Sequence, residues 1–330
     1  MLHRLCGPAP LAALLATIAT FVTAAAACAD QTSPLAGAGL VAIKSTGGAV
    51  TIIVGNPGEV RVVGPDRVAL KHFAVSADAD GHIMLPQQGA PIIGKPGTPS
   101  VAPSAGNGNG NAALGAGRGG LGPRSFTIPG LQDGSDGLSI TNRSGSDITI
   151  YVPQTLAGLI VGAGPGDVSA GNLTGTYVIV TGRGGINLQN MSGRGLVRTL
   201  TGPITLNGIA GALGVESARG TIMAREMSVN QADVLTQSGN VDWEFSTLGR
   251  GAYRFNSRQG NIQVGLSPDA AANVDAQSES GSVVNAFEKR FGNVRIVNRH
   301  ALSMSLRGGG PEITASSRFG RVTIRPHKPI

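Results

Sequence analysis

The chain has 330 residues, 51 of them glycine, with only 14% charged residues and a formal net charge of +7. Glycine costs about 1 kcal/mol in a helix interior, whereas the abundant Val, Ile and Thr favour strands. The composition therefore predicts an all-β protein. No cluster of basic residues interleaved with aromatic residues is present, so we expect no nucleic-acid partner.

The N-terminus has the features of an export signal. His3 and Arg4 supply positive charge, and residues 11–22 form an apolar run too short to span a bilayer. Ala27-Cys28-Ala29 has the small residues that signal peptidase prefers, which predicts a signal peptide over residues 1–29. A cut after Ala27 is the alternative. Export predicts a periplasmic, cell-surface or extracellular location.

Cysteine usage leaves a second possibility for the N-terminus. Cys28 could be a lipidation site, although Ala25 stands where bacterial lipoprotein signals usually carry Leu. Cys6 is the only other cysteine, so the mature domain would have no thiol for an internal disulfide, a zinc site or nucleophilic catalysis. The mature chain has no apolar segment long enough for a transmembrane helix.

Regularly spaced glycines reveal a repeat, with intervals of 18, 18, 18, 19, 21 and 21 residues. Their positions are Gly166, Gly184, Gly202, Gly220, Gly239, Gly260 and Gly281. A β-branched residue follows two positions after each glycine, and the residue between them is mostly polar. This alternation predicts a strand after each glycine.

A second strand is predicted before each glycine. The residue five positions before is mostly apolar, as in Ile179 and Val197, and the residue three positions before is Ser, Thr or Ala, as in Thr181 and Thr199. A pair of short strands cannot bury its apolar face alone, whereas stacked coils bury a continuous apolar column. The pattern therefore predicts a single-stranded parallel β-helix, or β-solenoid, with coils of about 18–21 residues.

The same pattern recurs at both ends of the chain. Gly48 begins an early copy and Gly320 a late one, so the predicted structural glycines number nine with these two. Gly320 lies 39 residues after Gly281, which places it roughly two coils further along a stack in sequence order. Residues 292–296 fit only out of phase and predict an inserted or distorted turn.

A glycine- and proline-rich segment interrupts the repeats. Residues 86–124 contain 11 glycines and 6 prolines with almost no apolar pattern, which predicts a disordered insertion. The predicted organisation is therefore N-terminal β-coils over 30–85 and a main solenoid over 125–330, which together form one domain. A flexible binding arm is the alternative role for the insertion.

The repeats resemble a known bacterial group. The segments TGPITL, ARGTIMA, QSGNVDW, RQGNIQV and ESGSVVN, with GGAVTII and ITIYVP before them, are similar to the uncharacterised β-strand-repeat family labelled "putative adhesin", and to the head domains called GIN domains. The similarity extends from about Val41 to Ile324. It implies a parallel β-helix-like fold and a location in the cell envelope, and it transfers no catalytic residues.

Carboxylates and histidines do not form a recognisable catalytic set. Asp167 and Asp242 are each solitary in their columns, although Asp242 and Glu244 flank inward Trp243 and could share an outer face. Polysaccharide-cleaving β-helix enzymes need clustered carboxylates, and metal sites need clustered ligands. We therefore expect no catalytic residues, no metal site and no cofactor.

Three functional hypotheses follow. The first is an exported structural or interaction protein of the cell envelope, whose outward Ser, Asn, Thr and Gln residues meet an envelope polysaccharide, an anionic surface or a partner protein. The second is a β-helix enzyme that acts on an extracellular polysaccharide. The third is a lipid-anchored envelope scaffold or sensor, which depends on Cys28.

Overall fold

The computed structural model describes residues 28–35, 39–65, 67–74, 82–84, 125–127, 136–287 and 292–327. These residues form 26 strands, and no helix occurs among them. Twenty-four strands belong to one hydrogen-bonded system, and the other two form a separate pair. The prediction of an all-β protein is confirmed over this part of the chain.

Each coil contains one strand from each of two facing sheets, here called sheet B and sheet A in chain order. The strands of the first half of the chain are β1 Cys28–Pro34, β2 Leu40–Ser45, β3 Val50–Val54, β4 Glu59–Pro65, β5 Val68–Ala74, β6 His82–Met84, β7 Ser125–Thr127, β8 Asp136–Asn142, β9 Ile148–Val152, β10 Thr155–Ala163, β11 Val168–Gly171, β12 Thr174–Thr181 and β13 Ile186–Gln189.

The second half of the chain continues the alternation and ends with an inserted hairpin before the last coil. Its strands are β14 Ser192–Thr199, β15 Ile204–Asn207, β16 Ala210–Ser217, β17 Ile222–Thr236, β18 Val241–Phe245, β19 Ala252–Ser257, β20 Ile262–Leu266, β21 Ala272–Ser278, β22 Val283–Asn285, β23 Gly292–Asn298, β24 Ala301–Leu306, β25 Glu312–Ser317 and β26 Val322–Pro326.

The interior coils pair in parallel and in the predicted register. In sheet A, Ile186 pairs with Ile204 and Ile204 with Ile222, so that like side chains stack on one another. In sheet B, β12 pairs with β14 and β14 with β16 in the same parallel manner. The inward residues are fully buried and form the continuous core between the two sheets.

The glycine corner joins each sheet-B strand to the next sheet-A strand, and backbones approach closely there. A Cβ on Gly184 would lie 1.9 Å from the carbonyl oxygen of Gly166, and a Cβ on Gly202 would lie 2.0 Å from that of Gly184. A side chain cannot fit at such distances, so each coil needs glycine at this position for the next coil to stack.

The buried hydroxyl column closes the same corner. The Thr199 Oγ1 accepts a hydrogen bond of 3.0 Å from the Gly202 amide, and the Ser217 Oγ accepts one of 2.7 Å from the Gly220 amide. These bonds satisfy amides that the turn would otherwise leave unpaired inside the protein. The hydroxyls thus bond to the glycine backbone and stabilise the turn.

A second corner, between each sheet-A strand and the following sheet-B strand, has a different structure. In three successive coils one residue adopts the left-handed region there: Asn172 has φ 60°, Asn190 has φ 50° and Gly208 has φ 65°. Asn tolerates this region better than most residues because its side chain forms local hydrogen bonds. Asn190 Nδ2 also donates to Asn172 Oδ1 at 3.0 Å, which links adjacent coils.

The scarce aromatic residues fill the core where the coils widen. Trp243, Phe245, Tyr253 and Phe255 are all fully buried, with ring centroids 5.4 Å apart for Trp243 and Phe255 and 4.9 Å apart for Phe245 and Tyr253. Tilted and edge-on contacts of this kind are favourable. Core packing accounts for the aromatic cluster.

The order of the coils in space differs from their order in the sequence at both ends. β2 and β3 lie between the coil of β8 and β9 and the coil of β10 and β11. Likewise, β25 and β26 lie between the coil of β19 and β20 and the coil of β21 and β22. Each terminal coil of the chain is therefore inserted one place inside the stack.

The expected position of Gly320, two coils beyond Gly281, is wrong for this reason. A Cβ on Gly320 would lie 1.8 Å from the Gly260 oxygen, and a Cβ on Gly281 would lie 2.1 Å from the Gly320 oxygen. Gly320 therefore stacks between the other two. At the opposite end, Gly48 stacks between Ser146 and Gly166.

Antiparallel strands flank the parallel coils, so the parallel description holds only for the stacked coils. β4 and β5 pair antiparallel with β9 and β8, and β1 pairs antiparallel with β4. At the other end β24 pairs antiparallel with β21, and β23 with β24. The out-of-phase residues 292–296 lie in β23, in agreement with the predicted insertion. Antiparallel strands at the ends cover open sheet edges, which otherwise promote aggregation.

Two predicted segments lie mainly outside the described residues. The predicted insertion, residues 86–124, is the first. The strands on either side of it, β6 and β7, pair antiparallel with each other. Of the predicted signal peptide 1–29, only Cys28 and Ala29 are described, and their backbones belong to β1.

Candidate functional site

The outer face of sheet A carries a continuous row of mainly polar side chains. The parallel pairings connect the row across ten strands in the order Thr149, Thr51, Ser169, Asn187, Thr205, Met223, Asp242, Gln263, Thr323 and Val284. Met223 is 43% exposed and Val284 38% exposed, so the face is not purely polar. Gln189 and Asn207 add exposed amides in the neighbouring row.

This face follows directly from the coil structure. Side chains alternate along a strand, and the inward positions beside Asn187 are Ile186 and Leu188, which are buried in the core. Because the coils are stacked in register, each outward polar residue lies beside its counterpart in the next coil, with a spacing of about 4.8 Å. The result is a surface with many hydrogen-bonding groups.

An ion-pair network occupies one part of this face, and the sequence indicated only its two carboxylates. Arg225 Nη2 lies 2.6 Å from Asp242 Oδ2, and Arg225 Nε lies 3.4 Å from Glu244 Oε2. Arg325, from the inserted last coil, contacts both Asp242 and Glu244. His327 Nδ1 lies 3.4 Å from Glu244 Oε2. Asp242 and Glu244 thus share an outer face, which the sequence had suggested, and both contact Arg225 and Arg325.

A glycine makes the network possible. Gly265 lies between Glu244 and Arg325 in the sheet register. A Cβ there would lie 3.1 Å from Glu244 Cγ and 3.7 Å from Arg325 Cζ. The missing side chain lets the guanidinium of Arg325 reach across one strand to the carboxylates.

The electrostatics of the network favour the ionised form of Asp242. Burial alone would raise the pKa of Asp242, but hydrogen bonds and charges from Arg225 and Arg325 outweigh it and hold the pKa below its ordinary value. The hydrogen bond to Asp242 in turn raises the pKa of Arg225. A carboxylate held ionised by two arginines is poorly suited to general acid catalysis, which needs a raised pKa.

The remaining candidates are not brought together into a site. Asp167 Oδ1 accepts a hydrogen bond of 2.6 Å from the Gly185 amide, so it links two coils at the glycine corner. His72 contacts Ser33, His300 contacts Arg299 and His327 contacts Glu244, so each of these histidines has a different neighbour. Among the described residues, no group of three or more His, Cys, Asp or Glu side chains could hold a metal ion. Nor does this part of the chain contain a helix long and apolar enough to cross a membrane.

The network was missed because its members are distant in sequence. Asp242 and Glu244 stand two residues apart, but Arg325 is 83 residues from Asp242 and reaches it only because β26 is inserted next to β20. A sequence-ordered stack gives no reason to expect that contact. A glycine in the outward row, Gly265, was the only local signal.

The fold and the surface define a β-coil repeat protein with one broad polar face. The model of the Toastrack DUF4097 family matches residues 124–324, which is more than half of the chain, and the chain belongs to that family. The match agrees with the predicted membership of an uncharacterised β-repeat family and gives no support to the similarity to GIN domains. The N-terminal strands lie outside the matched residues.

Two further comparisons give little functional information. A search of curated proteins finds no match. Among solved structures, the chain is similar to one described as "a putative cell adhesion protein" from Clostridium sporogenes, with 9% identity and a TM-score of 0.23. The comparison covers 91% of this chain and 100% of the other.

Proposed function

We propose that this protein is an exported, non-catalytic interaction protein of the cell envelope. Residues 30–85 and 125–330 form one solenoid domain, which presents the outer face of sheet A to a partner. The observation that supports this is the outward row across ten sheet-A strands, where Ser, Asn, Thr and Gln side chains recur. Hydrogen-bonding groups that recur in most coils, with Met223 and Val284 as the exceptions, suit a partner that is itself extended and repetitive.

The energetics of the face support binding at many weak contacts. A neutral hydrogen bond is worth only about 1 kcal/mol net, so one polar residue contributes little. A row of exposed amides and hydroxyls that engages a polymer along its length gains affinity through the number of simultaneous contacts. The inner face cannot serve, because its side chains fill the core.

The test is retention of the purified protein on peptidoglycan, on neutral exopolysaccharide and on anionic lipid vesicles. A triple variant, Asn187→Ala, Gln189→Ala and Asn207→Ala, removes three exposed amides of sheet A. The matched control is Gln231→Ala, Asn256→Ala and Gln277→Ala, which removes three amides from sheet B. We expect retention on at least one polymer and selective loss in the first variant.

The location and the state of the N-terminus are part of the same proposal. The mature chain would begin at Asp30 or Cys28, or would carry a lipid on Cys28 in the scaffold alternative. Mass spectrometry of the protein purified from its own cells separates these forms. No retention on any of the three supports, or equal loss in the two triple variants, would contradict the binding role of sheet A.

A further inference from the structure

The glycine corner forms an edge on the outside of the stack, here called the corner ridge. It consists of the two residues before each repeat glycine and the one after it. The backbone ladder continues through these turns: the Arg183 amide donates to Gly164 O at 3.1 Å, the Arg219 amide to Leu200 O at 3.1 Å and the Gln259 amide to Gln237 O at 2.8 Å. Ridge positions of successive coils therefore lie side by side.

Arginines are concentrated on this ridge. Arg183 and Arg219 directly precede repeat glycines, Arg258 and Arg318 stand two positions before them, and Arg321 follows Gly320. All five are exposed. Arg183, Arg219 and Arg258 lie on alternate coils, since one coil separates each from the next. With about 4.8 Å per coil, the spacing of these three positions is roughly 10 Å.

Fewer carboxylates than arginines lie at this corner. Asp147 and Asp167 accept hydrogen bonds from the Ala49 and Gly185 amides, and Glu279 pairs with Arg318 at 3.1 Å. Among the described residues, Arg183, Arg219, Arg258 and Arg321 form no ion pair. The left-handed positions of the opposite corner are Asn172, Asn190, Gly208 and Glu226. Exposed Arg250 also lies at that corner, between β18 and β19, so the glycine corner differs in the number of its arginines.

The end of the ridge formed by the last inserted coil adds groups suited to a sugar. Phe319 is 51% exposed, and the Arg318 guanidinium lies 5.0 Å from its ring centroid. Arg321 and Thr323 of the same coil help to line a shallow groove with a volume of about 450 Å³, together with Asn261, Gln263, Gly281 and Ser282. Amides and hydroxyls around one guanidinium are groups that bind hydroxyls and a carboxylate, and the exposed ring offers an apolar platform.

We propose that the corner ridge binds a linear acidic polysaccharide, a polymer of uronic acid type, which runs along the stack with one sugar in the groove at Arg321 and Phe319. The guanidiniums would meet carboxylates about once per two coils, and the polar groups of the groove would bind the sugar hydroxyls. This inference rests on the proposed envelope role but assigns the binding to the corner ridge, which meets the face of sheet A only at Gln263 and Thr323 in the groove.

The charge density and the shape favour this occupant over other polyanions. Double-stranded DNA carries one charge per about 1.7 Å of axis, far denser than one arginine per roughly 10 Å. Single-stranded nucleic acid needs successive aromatic platforms, whereas the repeat positions of the ridge at Arg183, Arg219 and Arg258 have no aromatic neighbour in their turns. A membrane is a plane, and a single row of arginines at a convex edge offers it few contacts.

Binding to linear polygalacturonate tests the proposal, measured by biolayer interferometry with the intact protein at low and high salt. A neutral linear glucan, DNA, polyphosphate and phosphatidylglycerol vesicles are the comparison ligands. The triple variant is Arg183→Gln, Arg219→Gln and Arg258→Gln. The matched control is Lys71→Gln, Arg250→Gln and Arg254→Gln, which removes the same charge from exposed positions elsewhere.

We expect the ridge variant to bind polygalacturonate about tenfold more weakly, because each exposed ion pair contributes a factor of a few, and the control variant to change less than about twofold. Salt should weaken binding of the wild type. A Phe319→Ala and Arg321→Gln variant should lose the preference for polygalacturonate over polyphosphate.

Several results would overturn the proposal. These are no binding of polygalacturonate, equal loss in the ridge and control variants, or equally tight binding of DNA, polyphosphate or vesicles. The proposed role of sheet A fails separately. If the Asn187, Gln189 and Asn207 variant loses retention on a neutral polymer while polygalacturonate is not bound, that role stands and the ridge proposal alone is wrong.

Discussion

The interior coils and the terminal coils of this protein follow different rules of order. From β10 to β20 the coils stack in chain order, and each residue lies beside the one 18 to 21 positions further on. At both ends the coil nearest the terminus is inserted one place inward. Inward packing is the same in both regions, so local residue pattern determines what a coil looks like but not where it stacks.

The largest effect is expected from a charge in the interior core. Ile204 is fully buried between Ile186 and Ile222. The change Ile204→Asp would bury an unpaired carboxylate, and we expect loss of cooperative unfolding in a thermal melt followed by circular dichroism. Thr205→Asp, one residue away on the outer face, is the matched control and should melt within a few degrees of the wild type. Similar melting of the two variants would show that the inward assignment is wrong.

Glycine substitutions compare the interior with the inserted end. Gly202→Ala places a Cβ 2.0 Å from the Gly184 oxygen, and Gly48→Ala places one 2.1 Å from the Ser146 oxygen. Each should cost more than about 2 kcal/mol, a substantial drop in Tm. Gly58 has φ +78° with nothing near its Cβ position, so Gly58→Ala should cost only about 1 kcal/mol for the left-handed backbone.

The result for Gly48 is the informative one. If β2 and β3 formed the outermost coil, no further coil would press on Gly48, and alanine would cost no more there than at Gly58. Equal urea midpoints for the Gly48 and Gly58 variants would therefore contradict the insertion of the first coil.

Much of the coil was predictable from sequence, because it depends on local periodicity. The buried columns that contain Ile204 and Val197 are inward as predicted, and the strand at Ile148 and Ile150 is inward as well. The left-handed corner at Asn172 and Asn190 was missed, since single asparagines give a weak signal. The insertion of the last coil could not be predicted from sequence. The coils of Gly260, Gly281 and Gly320 have similar inward residues, so packing alone does not indicate which coil stacks on which.

The ion-pair network depends on the insertion of the last coil, because Arg325 belongs to that coil. Its contribution to stability should be smaller than that of the core and should depend on pH. The lowered pKa of Asp242 means that its carboxylate stabilises the folded state above the unfolded pKa of about 4, and that this stabilisation is lost as the pH falls through the folded value. We expect Asp242→Asn to lower the Tm at neutral pH by a few degrees, and the difference from the wild type to shrink below about pH 4.

Asp269 is the matched control for that measurement. It also faces an arginine, but its side chain is 84% exposed, so Asp269→Asn should change the Tm little at any pH. A constant difference between Asp242→Asn and the wild type from pH 7 to pH 3 would show that the carboxylate does not contribute through its charge.

The insertion of the last coil is tested most directly by disulfide cross-linking. With Cys28 replaced by Ser, the pair Asn256→Cys and Ser316→Cys joins residues that are partners in adjacent strands, whereas Asn256→Cys and Gln277→Cys joins residues two strands apart. Strand neighbours are close enough for a disulfide, and residues about 10 Å apart are not. We predict rapid oxidation of the first pair alone, read by gel mobility and mass spectrometry. Cross-linking of the second pair instead would show that the coils stack in chain order.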